Sequence, residues 1–437
     1  MKSIYKFFAI AILLSSASFL QAQVEKKKTF SGEFSDLSHL VINHRRGPLE
    51  VRKSTDGKTR YEATLFIQAK EEESAAMMLE RFELKEDTFD GKLEVSSSFN
   101  IQNWTTINGK TKIKFNDGTK ISGIREVKID MIIYVGKLDK LHLKNKYDEI
   151  KIHDDIAADL SIELHSGKLQ MVDFMGNLAL EMKYSKGFLK NIADATMEIY
   201  DCDMVMGNAG KIQIESKYSS FKIGDLTELR GETYDDEFEM GNLTTVILED
   251  KYSQFQMGNF KTAKLDFHDA EFKAGNAESI EIKSKYSEFV FENAGAIEFE
   301  TSFDDNVKAV QVGTFSADSK YSEFIFKTVT ESAIIAPSFD DKLEISSLGS
   351  SFKTLKIDGK YTDMDVDIVA GSLFHLNVDM TYGKVYFNED SFETQVWKEK
   401  DSSRQEIIGK TKGATEESGT IEVLGFDNTV YLATVKK

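Results

Sequence analysis

The chain has 437 residues, and its 73 acidic side chains outweigh 55 basic ones for a net charge of −18. So acidic a surface repels nucleic acid and anionic lipid, which sets both aside as partners. Only 2 prolines interrupt the sequence, and 31 Phe with 15 Tyr suit long stretches of β structure.

In chain order, residues 1–22 show the three parts of a secretory leader: Lys2 and Lys6, an apolar run from Phe7 to Leu20, and small residues up to Ala22 before Gln23. The run is short for a bilayer span, and no cysteine follows it to be acylated. The expectation is an exported protein with no transmembrane anchor, in the periplasm or at the cell surface. Loss of the leader removes two positive charges and leaves −20.

Residues 23–140 are less periodic and predict an N-terminal β cap. His39 to Val51 and Ala63 to Ala69 alternate as strands. Glu73 to Phe82 predicts a short amphipathic helix capped by Ser74. Asn108-Gly109 and Asp117-Gly118, set between alternating segments of residues 99–124, predict a projecting hairpin.

From residue 141 to residue 391 a pattern repeats every 17 residues, and alternate copies match better, so the full period is 34. It is gapless over residues 211–295, from KIQIESKYSSFKIGDLT to SIEIKSKYSEFVFENAG. Block positions 2 and 4 (Val246 and Leu248) and 11 and 13 (Phe255 and Met257) are apolar, which is the period of a strand with one buried face. Gly241-Asn242 and its equivalents at positions 14 and 15 predict a tight corner with positive φ. Tetratricopeptide helices have no apolar stretch of helical spacing to form from, and a propeller blade needs roughly 40 residues. The fold class that remains is an all-β solenoid of 17-residue coils with caps at both ends. Four or five inward side chains at ~1.5–3 kcal/mol each do not offset about 1.5 kcal/mol per ordered residue. A coil is therefore stable only in the stack.

Odd and even coils differ at one corner. Position 8 runs Tyr218, Asp235, Tyr252, Asp269, Tyr286, then Asp304, Tyr321, Asp340 and Tyr361. Position 7 places Lys217, Lys251, Lys285, Lys320 and Lys360 beside the tyrosines, with Tyr234 and His268 between. In an in-register stack this keeps these aspartates two coils, about 10 Å, apart. The same tyrosines and lysines are the candidate ligand-binding residues, a stripe suited to a polysaccharide or an envelope protein.

Catalytic and metal signatures are missing: there is no HExxH, GxSxG, Walker loop or GxGxxG, and the 7 histidines are scattered. No cofactor is expected. The pairs Asp235-Asp236, Asp304-Asp305 and Asp340-Asp341 recur with the coil, as solubilising corners would. Asp363, Asp365 and Asp367 alternate on a strand, without the glycine of a calcium loop. Cys202, the 1 cysteine, sits at a corner position that Asp236, Ser253 and Ala270 also occupy, which implies packing and excludes an internal disulfide. Residues 392–437 predict a mobile loop at 398–419 and a closing strand pair, TIEVLGFDNTVYLATV.

NHRRGPLEV (Asn43 to Val51), the Gly-Asn corners, LHSGKLQM (Leu164 to Met171) and TYGKVYF (Thr381 to Phe387) resemble the head-GIN type of adhesin-like domain, an exported bacterial β-solenoid family. The resemblance implies a non-enzymatic adhesin-like scaffold. Two other functions fit the sequence: a polysaccharide lyase or hydrolase on a β-helix, and an envelope sensor or accessory protein.

Overall fold

The structure, a computed structural model, describes residues 23–107, 110–400 and 403–435. Residues 1–22, where a secretory leader is expected, and the expected Asn108-Gly109 turn lie outside the described residues. The chain forms two compact units, Met1–Gln170 and Met171–Lys437. Both are β structure stacked as solenoid coils.

In the second unit each coil is a long strand followed by a short one, as in Leu243–Lys251 and Gln254–Met257. Up to Lys285 long strands pair in parallel with long strands and short with short, 17 residues apart, so Val246 meets Ala263 and Phe255 meets Phe272. The period-two apolar positions point inward: Leu243, Val246, Leu248, Phe255 and Met257 are all buried. Because the register repeats, like stacks on like. The rings of Phe221, Phe238 and Phe255 follow one another at 4.6 and 5.0 Å, nearly parallel.

The corners differ from expectation. Positive φ falls at position 8, with Tyr218 at 59°, Asp235 at 53°, Tyr252 at 70° and Asp269 at 57°, while the Gly-Asn corner stays out of the left-handed region. A left-handed residue here lets both flanking amides stay in the interstrand ladder. Tyr218 N–H donates forward to the Tyr234 carbonyl (3.0 Å), and Ser220 N–H donates back to that of Cys202 (2.9 Å). For a ring-bearing residue this conformation costs about 1–2 kcal/mol. The glycines serve a different need, close approach. A Cβ on Gly241 would lie 2.4 Å from Asp225 Oδ1 and 2.9 Å from the Gly224 carbonyl carbon. That space is taken by an amide ladder in which each position-15 side chain accepts the next coil's N–H, as Asn259 N–H to Asn242 Oδ1 (3.0 Å) and Asn276 N–H to Asn259 Oδ1 (2.8 Å).

The C-terminal segment is no loop followed by an outer cap. Phe392–Lys400 and Arg404–Thr411 form an antiparallel hairpin, occupying residues that sequence reading gives to a mobile loop. Gly419–Phe426 then inserts between Thr354–Lys360 and Phe374–Thr381, parallel to both. The reason lies in the corners. Tyr361 and Tyr382 both belong to odd coils, and Phe426-Asp427 supplies the even corner between them, with ring centroids 5.7 Å from Tyr361 and 5.4 Å from Tyr382.

In the first unit, Val24–Phe34 and Ile124–Val135 flank Thr59–Ala69, antiparallel to it. His39–Arg45 lies between Lys92–Ser98 and Lys140–Lys146, parallel to both. The sequence-predicted strand over residues 39–51 is broken by a left-handed Arg46, φ 63°. The helix spans Glu72–Glu80 with Glu71 at its N-cap and no side-chain cap. Ser74 lies inside it and instead donates to the Ser122 carbonyl (3.0 Å). Nor does the body of the hairpin project. Its strands Ile101–Ile107 and Lys110–Phe115 bring Ile113 and Phe115 into one core with Ala75, Met78, Phe82 and Phe99.

Asn428 ties the inserted strand pair to its neighbours. It is fully buried; its Oδ1 accepts Thr362 N–H (3.0 Å), and its Nδ2 donates to the Gly359 and Leu424 carbonyls (3.2 and 3.0 Å). Asn428→Leu would leave those groups unpaired, at about 1–3 kcal/mol for a buried orphan. A loss of unfolding free energy of that size, read as a lower urea midpoint, is expected, and an unchanged midpoint would show that the insertion does not depend on these bonds.

Candidate functional site

The repeated corner carries the candidate residues. Tyr218, Tyr252, Tyr286, Tyr321 and Tyr361 stand on every second coil, each between 44 and 48 % exposed. Lys217, Lys251, Lys285, Lys320 and Lys360 are all exposed beside them. None of these lysines makes an ion pair among the described residues; Lys217 Nζ lies 5.9 Å from the Tyr234 ring.

The sequence places Tyr234 and His268 between the tyrosines, and the structure adds how the rings meet. Position 7 of each even coil supplies an aromatic ring, and the two columns mesh edge to face into one ladder. Tyr200, Tyr218, Tyr234, Tyr252, His268 and Tyr286 follow one another with centroids 5.3–5.8 Å apart. Phe303, Tyr321, Phe339 and Tyr361 continue it at 5.3–5.5 Å. Each edge-to-face pair adds about 0.5–1.5 kcal/mol beyond its buried area, enough to offset the left-handed corner conformation. The signal was present in the sequence, because the ring alternates between positions 7 and 8 from coil to coil.

Behind the ladder runs a column of buried polar side chains at position 9. The corner N–H of position 9 faces inward with no strand to bond. The next coil's position-9 side chain accepts it: Ser219 N–H to Asp236 Oδ1 (2.6 Å), Asp236 N–H to Ser253 Oγ (3.0 Å), Ser287 N–H to Asp305 Oδ1 (2.8 Å) and Ser322 N–H to Asp341 Oδ1 (2.8 Å). Buried amides require such partners. Where Ala270 offers no acceptor, Asp250 of the same coil takes Ser253 N–H instead (3.1 Å). The second member of each Asp pair is thus buried and bonded inside the coil, which corrects the reading of these pairs as solubilising corners; only Asp235, Asp304 and Asp340 face water. Cys202 belongs to the same column. Its thiol donates to the Tyr200 carbonyl (3.3 Å), and burial pushes its pKa up, as suits a packed and unreactive side chain.

Burial also raises the carboxyl of Asp236, to about 7, against the hydrogen bonds from Ser219, Tyr234 and Ser216; the nearby Asp250 adds to the rise. Asp305 and Asp341 move in the same direction for the same first cause.

Outside this column an open groove of about 630 Å³ follows the long strands. Its floor is a feature that sequence reading missed. Glu198, Glu215, Glu232, Glu249 and Asp266 stand in register on successive coils, about 4.8 Å apart. Lys183, Lys217 and Lys251 and the rings of Tyr200, Tyr234 and His268 also line it. Like charges opposed in this way destabilise a ladder. No group of three or more His, Cys, Asp or Glu among the described residues could hold a metal ion. The histidines are dispersed: His268 is a ladder ring, His142 meets Glu163 (2.9 Å), His153 meets Glu50 (3.0 Å) and His375 meets the Thr415 carbonyl (2.8 Å). Among the described residues no helix is long and apolar enough to cross a membrane.

No family model matches the chain, and no curated protein matches it. Solved structures do. It is similar to an adhesin candidate from Bacteroides fragilis, 14% identical, over 67% of this chain and 97% of that one, at a TM-score of 0.21. A candidate cell adhesion protein from Clostridium sporogenes is 12% identical over 94% of this chain and 99% of its own, at 0.16. A candidate lipid binding protein from Parabacteroides distasonis is 10% identical over 73% and 96%, at 0.21. Identities and scores this low transfer no function.

Asp236 provides a pH test of the buried column. Between about 4 and about 7 the folded chain holds a proton that the unfolded chain has released. Stability from this group is therefore complete below the unfolded value and lost as pH rises through the folded one. Melting temperatures at about pH 5 and about pH 8 should show the native protein losing more stability than Asp236→Asn, whose Oδ1 can still accept Ser219 N–H. Parallel profiles would mean that this carboxyl does not titrate in that window.

Proposed function

We propose that the protein is a non-enzymatic, exported, adhesin-like scaffold whose striped corner face binds a polysaccharide. One observation carries the reading: exposed lysines and half-exposed tyrosines recur every second coil, about 10 Å apart, and these lysines have no ion-pair partners among the described residues. A polymer repeats its own groups at a fixed interval. Each further period of contact then adds binding at little extra entropic cost. Export rests on the leader sequence.

The buried member of each Asp pair is unsuited to serve a lyase or hydrolase. A glycosidase needs two free carboxyl groups across the scissile bond, and Asp236, Asp305 and Asp341 are buried and held by amides of the preceding coil.

The test must spare the aromatic ladder. In the triple variant Lys251→Gln, Lys285→Gln, Lys320→Gln the rings stay in place, so the melting temperature should hold. Retention on immobilised polysaccharide should fall at least about tenfold, roughly 1.4 kcal/mol. Native-level retention by the triple variant would remove the corner face as the binding surface, and retention on envelope protein alone would replace the glycan by a protein partner.

A further inference from the structure

We infer that the first unit holds a built site for an acidic sugar, independent of the corner face of the second unit. A groove of about 750 Å³ opens where the strands His39–Arg45, Lys92–Ser98 and Lys140–Lys146 end. That volume suits a small oligosaccharide. In a chain of net charge −18, no Asp or Glu lines it, while Arg45, Arg46, Lys144 and Lys146 do. Six of the eight arginines of the chain lie within the first 170 residues.

Arg46 is the centre of the argument. It takes the left-handed corner position, φ 63°, and its N–H donates to the Lys146 carbonyl (3.2 Å). Its guanidinium lies 3.8 Å from the centroid of the Trp104 ring. It is partly buried, and burial lowers its pKa; the charged groups acting on it are Tyr147 and Arg45, with no carboxylate among them. Partly buried cations are ordinarily paired. Arg45, Arg46 and Lys146 have no ion pair among the described residues, whereas Lys144 is held by Glu163 (2.7 Å). Three unpaired cations converging on one groove are chemistry for an anion, and a guanidinium fork fits a carboxylate.

The remaining lining selects a sugar over a lipid headgroup. Gln102, Asn103 and Asn116 offer neutral amides for hydroxyl groups, and Trp104 and Tyr147 offer ring surface. The floor is fixed and uncharged. His44 is buried, with Nε2 3.0 Å from the Ile129 carbonyl and Nδ1 3.2 Å from Ser97 Oγ, and burial lowers its pKa to about 4. Two acids are tied to the lining from outside it, Glu94 by the Asn43 amide (2.7 Å) and Glu163 by Lys144 (2.7 Å). Of the apolar lining, Phe99 and Ile129 belong to the core and Ile101 packs against it, which leaves little apolar surface for an acyl chain.

The experiment is calorimetric titration of the protein with an oligogalacturonate, its neutral methyl ester, inorganic phosphate, and vesicles containing an anionic phospholipid. Binding of the free acid alone is expected, weakening with salt, and at least about tenfold weaker in Arg46→Gln. Should Arg46→Gln fail to fold, the exposed pair Arg45→Gln with Lys146→Gln gives the same reading. The triple lysine variant of the second unit should bind as the native protein does, which separates this site from the corner face. Equal binding of the neutral ester, unchanged binding by the Arg45 and Lys146 variant, or binding only to phosphate or vesicles would overturn the assignment.

Discussion

Each coil turns a corner at which one backbone N–H faces inward without a strand to accept it. That orphan amide is the constraint on which the rest of the second unit depends. It requires a side-chain acceptor, supplied in most coils by Ser, Asp or Asn at position 9 of the next coil and, where Ala270 stands there, by Asp250 of the same coil, and this explains polar groups in an otherwise apolar core. A carboxylate accepts more bonds than a hydroxyl, so Asp305 also takes the hydroxyls of Ser284 and Ser302. Two stacked carboxylates would repel, and Ser alternates with Asp. The two-coil period of the sequence thus has a cause inside the corner as well as on its surface.

The outer side of the same corner follows. A left-handed residue keeps the flanking amides in the ladder, and a Tyr or Asp accepts that conformation in alternate coils. The Tyr ring then needs neighbours, and the even coils supply them from position 7. His268 can replace a tyrosine there because the contact uses a ring edge and face rather than a hydroxyl. Completing this pattern also directs the C-terminal strands. Phe426, Asp427 and Asn428 provide the ring, the left-handed corner and the buried acceptor of an even coil, and the chain returns to place them where that coil is missing.

Structural demands absorb the repeated acids and rings, and the proposed binding chemistry uses what they leave over. In the second unit that is the exposed lysines and the outer halves of the tyrosines. In the first unit the period breaks, and at one left-handed corner Arg46 stands where the repeat has Tyr or Asp. Non-repeating residues gather there around a groove whose charge opposes that of the chain as a whole.

The sequence alone determined the solenoid, its 17-residue coil and its two-coil alternation, because apolar period and corner residues are local and recur. It also placed Tyr218, Tyr252, Tyr286 and their lysines on one exposed stripe. It misplaced positive φ at Gly-Asn, since glycine serves close approach as well as left-handed turns and composition does not distinguish them. Which Asp of each pair is buried was decided by the stack, because the acceptor belongs to one coil and the orphan amide to another. The insertion of Gly419–Phe426 between earlier coils, and the convergence of Arg46 from one strand end with Trp104 and Lys146 from others, join residues far apart in the chain. No local pattern encodes such contacts, and only the tertiary structure decided them.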